Sequence, residues 1–243
     1  MKKHIPNLLT GLNVMSGSMS VFMVLYGRPD WAALFILVGM FFDFFDGLAA
    51  RLLHVKSEMG KELDSLADIV SFGLAPAVLA HLLIRWTLLG EEETSIWVLP
   101  VWQQFLLFLP LIIPFFSAFR LAKFNLDVRQ SVSFIGMPVP AHALFWVSLM
   151  YARLYLPETY QILFGSVWVL AVSVVVLSLL LVSELPMFSL KISGFSWKNN
   201  KIRYLYFSLL VVLSVCIGWS VIVFIIPFYI LFCVLEALLH LKQ

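Results

Sequence analysis

Four aspartates recur at fixed intervals in the run Asp43-x2-Asp46-Gly47-x2-Ala50-Arg51-x8-Gly60-x3-Asp64-x3-Asp68. At ~100° per residue, Asp46, Ala50, Asp43, Gly47 and Arg51 fall in that order within an arc of ~140° on one helix. By the same rule Gly60, Asp64 and Asp68 fall within ~80° on the next. Two such faces, turned toward each other across a short loop, bring four carboxylates around a space narrowed only by Gly and Ala. Like charges so placed do not all stay ionised without a cation. Carboxylate oxygens without Cys or clustered His favour Mg²⁺ or Mn²⁺ over Zn²⁺ or Cu²⁺. Mg²⁺ commonly completes its shell with substrate phosphate, and a carboxylate left over can accept a proton from an attacking hydroxyl. Arg51, one turn past Asp46, is placed to hold a phosphate oxygen. Gly47 and Ala50 let a ring or sugar approach the helix backbone. Singly, an interfacial Asp caps a helix, a Gly packs one, and an Arg extends its charge to the interface. The spaced set of eight residues is what points to a site.

The elements that must position this set are membrane helices. The chain of 243 residues is 62% hydrophobic and 12% charged, with a mean hydropathy of +0.98, where a soluble domain carries roughly 25% charged residues. The composition excludes a soluble domain with one anchor. Eight apolar segments lie at 7–27, 31–51, 64–86, 97–119, 138–156, 161–183, 203–218 and 220–239, against ~20 residues for a crossing. The last two are short and separated only around Gly218-Trp219-Ser220. Pro100, Pro110 and Pro114 predict a bent fourth segment. The expected fold is therefore all-α, a polytopic bundle of about eight spans forming a single membrane domain over residues 1–243.

Charge orients the bundle. With both termini in the cytoplasm, Lys2, Lys3, Arg51, Lys56, Lys61, Arg120, Lys123, Arg129, Lys191, Lys198, Lys201, Arg203 and Lys242 share one side. Arg28, Arg85 and Arg153 lie on the other. Such a bias marks the first side as cytoplasmic, and it carries the aspartates with it. Glu91-Glu92-Glu93 then reads as a solvated loop on the far side. The linker 187–202, with Lys191, Lys198, Asn199, Asn200 and Lys201, is expected along the anionic leaflet. The basic start followed by an apolar run imitates a secretory signal, but Asn7, Thr10, Asn13 and Ser16 interrupt it, so a retained first span is expected. Cys216 and Cys233, with no CxxC spacing, read as small buried apolar residues. The five histidines, His4, His54, His81, His142 and His240, are scattered and read as packing, interface or solvent residues.

The run from Asp43 to Asp68 resembles the signature of the CDP-alcohol phosphotransferases, membrane enzymes of phospholipid synthesis, at every defining position. Flanking pieces resemble the branch that uses CDP-diacylglycerol and serine: Ile5-Pro6-Asn7-Leu8-Leu9-Thr10, Ser71-Phe72-Gly73-Leu74-Ala75-Pro76, Arg120-Leu121-Ala122-Lys123-Phe124-Asn125, Gly136-Met137-Pro138-Val139-Pro140-Ala141 and Ser183-Glu184-Leu185-Pro186-Met187. Past about residue 191 only generic apolar helices remain.

The resemblance implies direct transfer of a phosphatidyl group from CDP-diacylglycerol to the serine hydroxyl, with CMP leaving. It gives Asp43, Asp46 and Asp64 to one or two divalent ions and makes Asp68 the base, with contact to metal as well. It gives Asn7, Thr10, Gly47, Ala50, Arg51, Ser57 and Gly60 to the CDP-lipid. The serine carboxylate needs a cation, and Arg120 at the cytoplasmic end of the fourth segment stands as a bidentate partner, with Asn125 as an amide, while Lys123 and Arg129 could serve the same end or be cytoplasmic charges only. The resemblance further implies a homodimer; so compact a chain is expected in a bacterial inner membrane, with no nucleic-acid partner. Two alternatives stay open: the same chemistry with glycerol 3-phosphate or inositol as acceptor, and an ion-coupled transporter. Transport would spread ionisable groups through the membrane depth, commonly in repeated halves, whereas here they gather in one stretch.

Overall fold

The first two apolar runs are helices α1 (His4–Leu25) and α2 (Pro29–Leu52), packed against each other along their length. Gly27 turns between them with φ +66°, a left-handed conformation that a Cβ disfavours. Pro29 opens α2, where its missing N–H is no loss. A computed structural model of the chain describes residues 4–55, 57–91, 95–126, 134–188 and 197–240. Lys2, Lys3, Lys56, Glu92, Glu93, Arg129, Lys191 and Lys242 lie outside the described residues, as do 189–196 of the linker and the side chains of Lys198, Asn199 and His240.

After a short turn, α3 (Glu58–Asp68) runs into a π-helical segment, Ile69–Leu74, and on into α4 (Ala75–Leu89). Ser57 starts α3 by accepting the Gly60 N–H at 3.0 Å, a side-chain cap for an otherwise orphaned donor. This long rod is the centre of the molecule. The widened turn begins one residue past Asp68, and such turns are frequent at functional sites. There Ser71 Oγ donates to the Asn13 carbonyl of α1 at 2.8 Å. A Cβ on Gly17 would lie only 2.4 Å from Ser71 Oγ and 2.5 Å from its Cα. The first helix thus meets the rod backbone to backbone.

The proline-bearing segment is α5 (Val101–Phe108) and α6 (Ile112–Leu126), joined by a 3₁₀ turn at Leu109–Leu111 that includes Pro110. Next come α7 (Val139–Tyr155), α8 (Pro157–Phe164) and α9 (Val167–Val182), with a 74° bend between the last two. Two short strands, β1 (Phe134–Ile135) and β2 (Pro186–Met187), pair antiparallel. Gly136, φ +77°, lies so near the Leu181 and Ser183 carbonyls that a Cβ would stand 2.7 and 2.8 Å from them. The ladder and this contact hold the Gly136-Met137-Pro138 run against the end of α9. Helices α10 (Trp197–Ile217) and α11 (Ile225–His240) finish the chain, with a 3₁₀ stretch at Gly218–Phe224 between them.

The molecule is an all-α helix bundle, and each of the eight apolar segments is helical. By length and apolarity the count differs from eight. Among the described residues five stretches are long enough to cross a membrane, His4–Leu25, Pro29–Leu52, Glu58–Leu89, Val101–Leu126 and Asn200–Leu239, and the bent pair α8–α9, taken as one span, makes six. The helix α7 has 17 residues, about 25 Å at ~1.5 Å per residue, short of the ~30 Å hydrocarbon core. It lies buried among other helices instead. The run Asn200–Leu239 is continuous by composition, yet Gly218, φ +59°, divides it into the two expected arms.

Connections segregate to two ends. The turns carrying Gly27, Glu91 and Tyr155 come together at one end, where Arg153 pairs with Glu91. At the other end Asn7 and Ser57 border one cavity, and Lys61 donates to the Asn125 carbonyl.

Candidate active site

Helix α2 delivers Asp43, Asp46, Gly47 and Ala50 on its last turns, and α3 delivers Gly60, Asp64 and Asp68. One oxygen from each of Asp43, Asp64 and Asp68 lies within 4.8 Å of the other two. Asp46 is turned aside toward α1, where its Oδ2 accepts the Thr10 hydroxyl at 2.6 Å. The tight group is therefore a trio with a fourth carboxylate beside it, because a partner on the first helix claims the Asp46 side chain.

Asp68 is buried, and its Oδ1 accepts Asn13 Nδ2 at 3.2 Å. The Asp64 Oδ1 is enclosed and has no hydrogen-bond partner. A buried carboxylate oxygen with nothing to accept is costly, and three carboxylates this close repel one another. Both costs vanish if a divalent cation is held between them. The donor set, all hard oxygens, fits such an ion.

In front of the trio lies a cavity of about 480 Å³, lined by Pro6, Asn7, Thr10, Asp46, Gly47, Ala50, Val55, Ser57, Glu58, Gly60, Lys61 and Asp64. Six of the seven residues expected at the CDP-lipid share this lining. Gly60 keeps it open, since a Cβ there would come within 3.0 Å of Ser57 Oγ and 3.2 Å of Asn7 Oδ1. Arg51 is the seventh and does not line the cavity. Its Nε donates to the Gly47 carbonyl at 2.9 Å, so the guanidinium lies back along its own helix, exposed.

In the sequence Asn13 stands out only as an interruption of an apolar run, whereas in the fold it holds Asp68. The buried residues of α1 include Pro6, Thr10, Asn13, Gly17 and Ser20, a small and polar stripe at spacings of three and four. That spacing marks one helix face, and it is the signal in the sequence that sets Asn13 on the same face as Thr10.

The two residues offered for serine separate here. Asn125 Nδ2 donates to Ser65 Oγ at 2.8 Å, and its carbonyl accepts Lys61 Nζ at 2.8 Å; it fastens α6 to α3. Arg120 is 4% exposed and forms no ion pair among the described residues. Its Nε has no partner, and its guanidinium carbon stands 4.9 Å from the Phe124 ring centre. Such a ring contact contributes ~0.5–2 kcal/mol, whereas burying an unpaired charge costs several kcal/mol. Lys123 reaches Glu184 Oε1 at 3.3 Å.

Other expectations resolve simply. His81 Nδ1 lies 2.9 Å from the Leu107 carbonyl, and buried His142 accepts Trp146 Nε1 at 3.4 Å; both pack. Cys233 is buried, but Cys216 is exposed, because α10 turns that face away from the bundle.

A model of the CDP-alcohol phosphatidyltransferase family matches residues 3–180. A Bacillus subtilis (strain 168) protein named CDP-diacylglycerol–serine O-phosphatidyltransferase is 40% identical over 137 residues, covering 56% of this chain and 70% of that protein. Its Helicobacter pylori (strain 26695) namesake is 31% identical over 185 residues, covering 74% and 70%. The Saccharomyces cerevisiae protein of the same name is 38% identical over 153 residues, covering 56% and 50%. This chain belongs to the CDP-alcohol phosphatidyltransferase family.

Proposed function

We propose that the protein transfers the phosphatidyl group of CDP-diacylglycerol to the hydroxyl of L-serine, forming phosphatidylserine and CMP. The observation that carries this reading is the carboxylate trio, closed to 4.8 Å, behind a cavity walled by Gly47, Ala50 and Gly60. The flanking relatives, all named for serine, supply the acceptor.

Asp43, Asp46, Asp64 and Asp68 are the residues that would hold Mg²⁺ or Mn²⁺. A bound ion supplies charge neutralisation at the diphosphate. Asn7, Thr10, Ala50, Ser57 and Gly60 receive the CDP portion in the cavity, and Arg51 swings from the Gly47 carbonyl to a phosphate oxygen. The serine oxygen forms a bond to the phosphorus that carries diacylglycerol. The bond from that phosphorus to the CMP oxygen breaks, and Asp68 accepts the serine proton. The acyl chains stay in the bilayer while the head group reaches the interfacial site.

The basic residues on the Asp side support an active site facing the cytoplasm, with both termini on that side. A homodimer, on the family resemblance, and a bacterial inner membrane, on the compactness of the chain, complete the proposal.

CMP release from CDP-diacylglycerol in detergent tests the reading. Serine-dependent release with Mg²⁺ or Mn²⁺, lost on adding a chelator, is expected, with little release for glycerol 3-phosphate or inositol. Release that favours another acceptor moves the protein to a different branch, and release indifferent to chelator removes the metal from the reaction.

A further inference from the structure

The acceptor needs a site of its own, and one buried group has no task in the transfer just described. We propose that Arg120 receives the carboxylate of the amino-acid acceptor and so separates serine from alcohols that lack one; this rests on the transfer reading above. Position comes first. Asn125 touches Ser65, and Ser117 touches Gly73, where a Cβ would stand 3.3 Å from the Ser117 Cβ. These two contacts make α6 antiparallel to α3 and the π segment. They place Arg120 opposite Ile69 and Val70, within roughly 3 Å of Asp68 along the axis at ~1.5 Å per residue. In serine the carboxylate and the hydroxymethyl group share one carbon, so a carboxylate site must lie within a side chain's length of the base.

Chemistry comes second. The Phe124 ring, its centre 4.9 Å from the Arg120 guanidinium carbon, has no oxygen or nitrogen to accept the guanidinium's N–H donors. Nε, the atom without a partner, is one corner of the edge that grips a carboxylate by two parallel hydrogen bonds. Ser117 Oγ, a turn earlier, is also buried and unpartnered. This face of α6 therefore holds two unfilled polar groups beside the helix that carries Asp68. Neighbouring cations are engaged: Lys61 bonds the Asn125 carbonyl, and Lys123 pairs with Glu184.

The competing role is a counter-charge for the acidic trio, which would affect every acceptor alike. Purified Arg120→Gln and Arg120→Lys separate the two. The readouts are KM for serine, the rate with ethanolamine (serine without its carboxylate), and CDP-diacylglycerol binding. In Arg120→Gln, KM for serine is expected to rise about 100-fold, with the ethanolamine rate and CDP-diacylglycerol binding unchanged. Arg120→Lys, which keeps charge but loses the fork, should recover part of the loss. An unchanged KM for serine, equal losses with both acceptors, or loss of CDP-diacylglycerol binding in both variants would overturn the assignment. Wild-type protein that releases no CMP with serine would remove the transfer reading itself, and this assignment with it.

Discussion

The central rod and the C-terminal arms are both apolar enough to cross a membrane, yet they solve different problems. In the apolar 18-residue window of Glu58–Leu89, 72% of residues are buried inside the bundle, against 11% in that of Asn200–Leu239. The first region places polar groups inside: Thr10 on Asp46, Asn13 on Asp68, Ser71 on the Asn13 carbonyl. The last region places apolar groups outside, with Val211, Val212, Val215 and Trp219 all exposed. The family match ends at residue 180, before α10 begins. Between lipid and helix there is little hydrophobic gain to be had, so association inside a membrane rests on close packing and hydrogen bonds. A substitution should therefore cost most where backbones touch and least where side chains meet acyl chains.

The sharpest way to test that contrast is at the trio. Asp43→Ala or Asp64→Ala should lower CMP release by at least ~10³-fold, since several kcal/mol of charge stabilisation leave with the ion. Metal-dependent binding of CDP-diacylglycerol should weaken too. Asp68→Asn should abolish transfer yet keep most lipid binding, because an amide cannot take the proton. Near-normal turnover in Asp68→Asn would remove Asp68 as the base.

Next in size is the contact that sets the trio. Gly17→Val puts a side chain where Ser71 stands, 2.4 Å from a would-be Cβ. Neither partner is a flexible tip, so α1 must shift, at a cost of ~1–3 kcal/mol or more. A fall in thermal stability in detergent, together with loss of turnover, is expected. A variant with wild-type stability would mean that α1 and the rod are not in backbone contact.

What the sequence showed follows the same division. The carboxylates and the glycines beside them were legible, because their spacing maps directly onto helix faces; that Ser57 caps α3 was not. Proline predicted the break before α6. Three further features were not legible. The Asp46 side chain turns to Thr10 and leaves a trio, a choice of rotamer made by a partner 36 positions away, which no local pattern encodes. The depth of α7 was hidden as well, because an all-apolar helix reads alike whether lipid or protein surrounds it. The π turn after Asp68 has no residue signature of its own.

Asn13→Leu should act at the next level down. It removes the donor to Asp68 Oδ1 but leaves the trio's own oxygens in place. Groups that orient a ligating or reacting carboxylate commonly contribute ~10–100-fold. Turnover is expected to fall within that range, with KM for CDP-diacylglycerol little changed. An equal rise in KM would instead make Asn13 part of the lipid-binding wall.

The smallest effect should come from the other region. Cys216 is exposed on α10, beside Val212 and Val215, and Cys216→Ala trades one small apolar group for another in contact with acyl chains. Stability should stay within ~0.5 kcal/mol, and turnover should not change. The result matters because exposure in a single chain is not exposure in an assembly. If Cys216→Ala, or the bulkier Cys216→Phe, lowered thermal stability and shifted the particle size in detergent, that face would be covered by a second copy. The C-terminal arms would then be specified by an interface, and the contrast between a fixed centre and a loose edge would fail at that point.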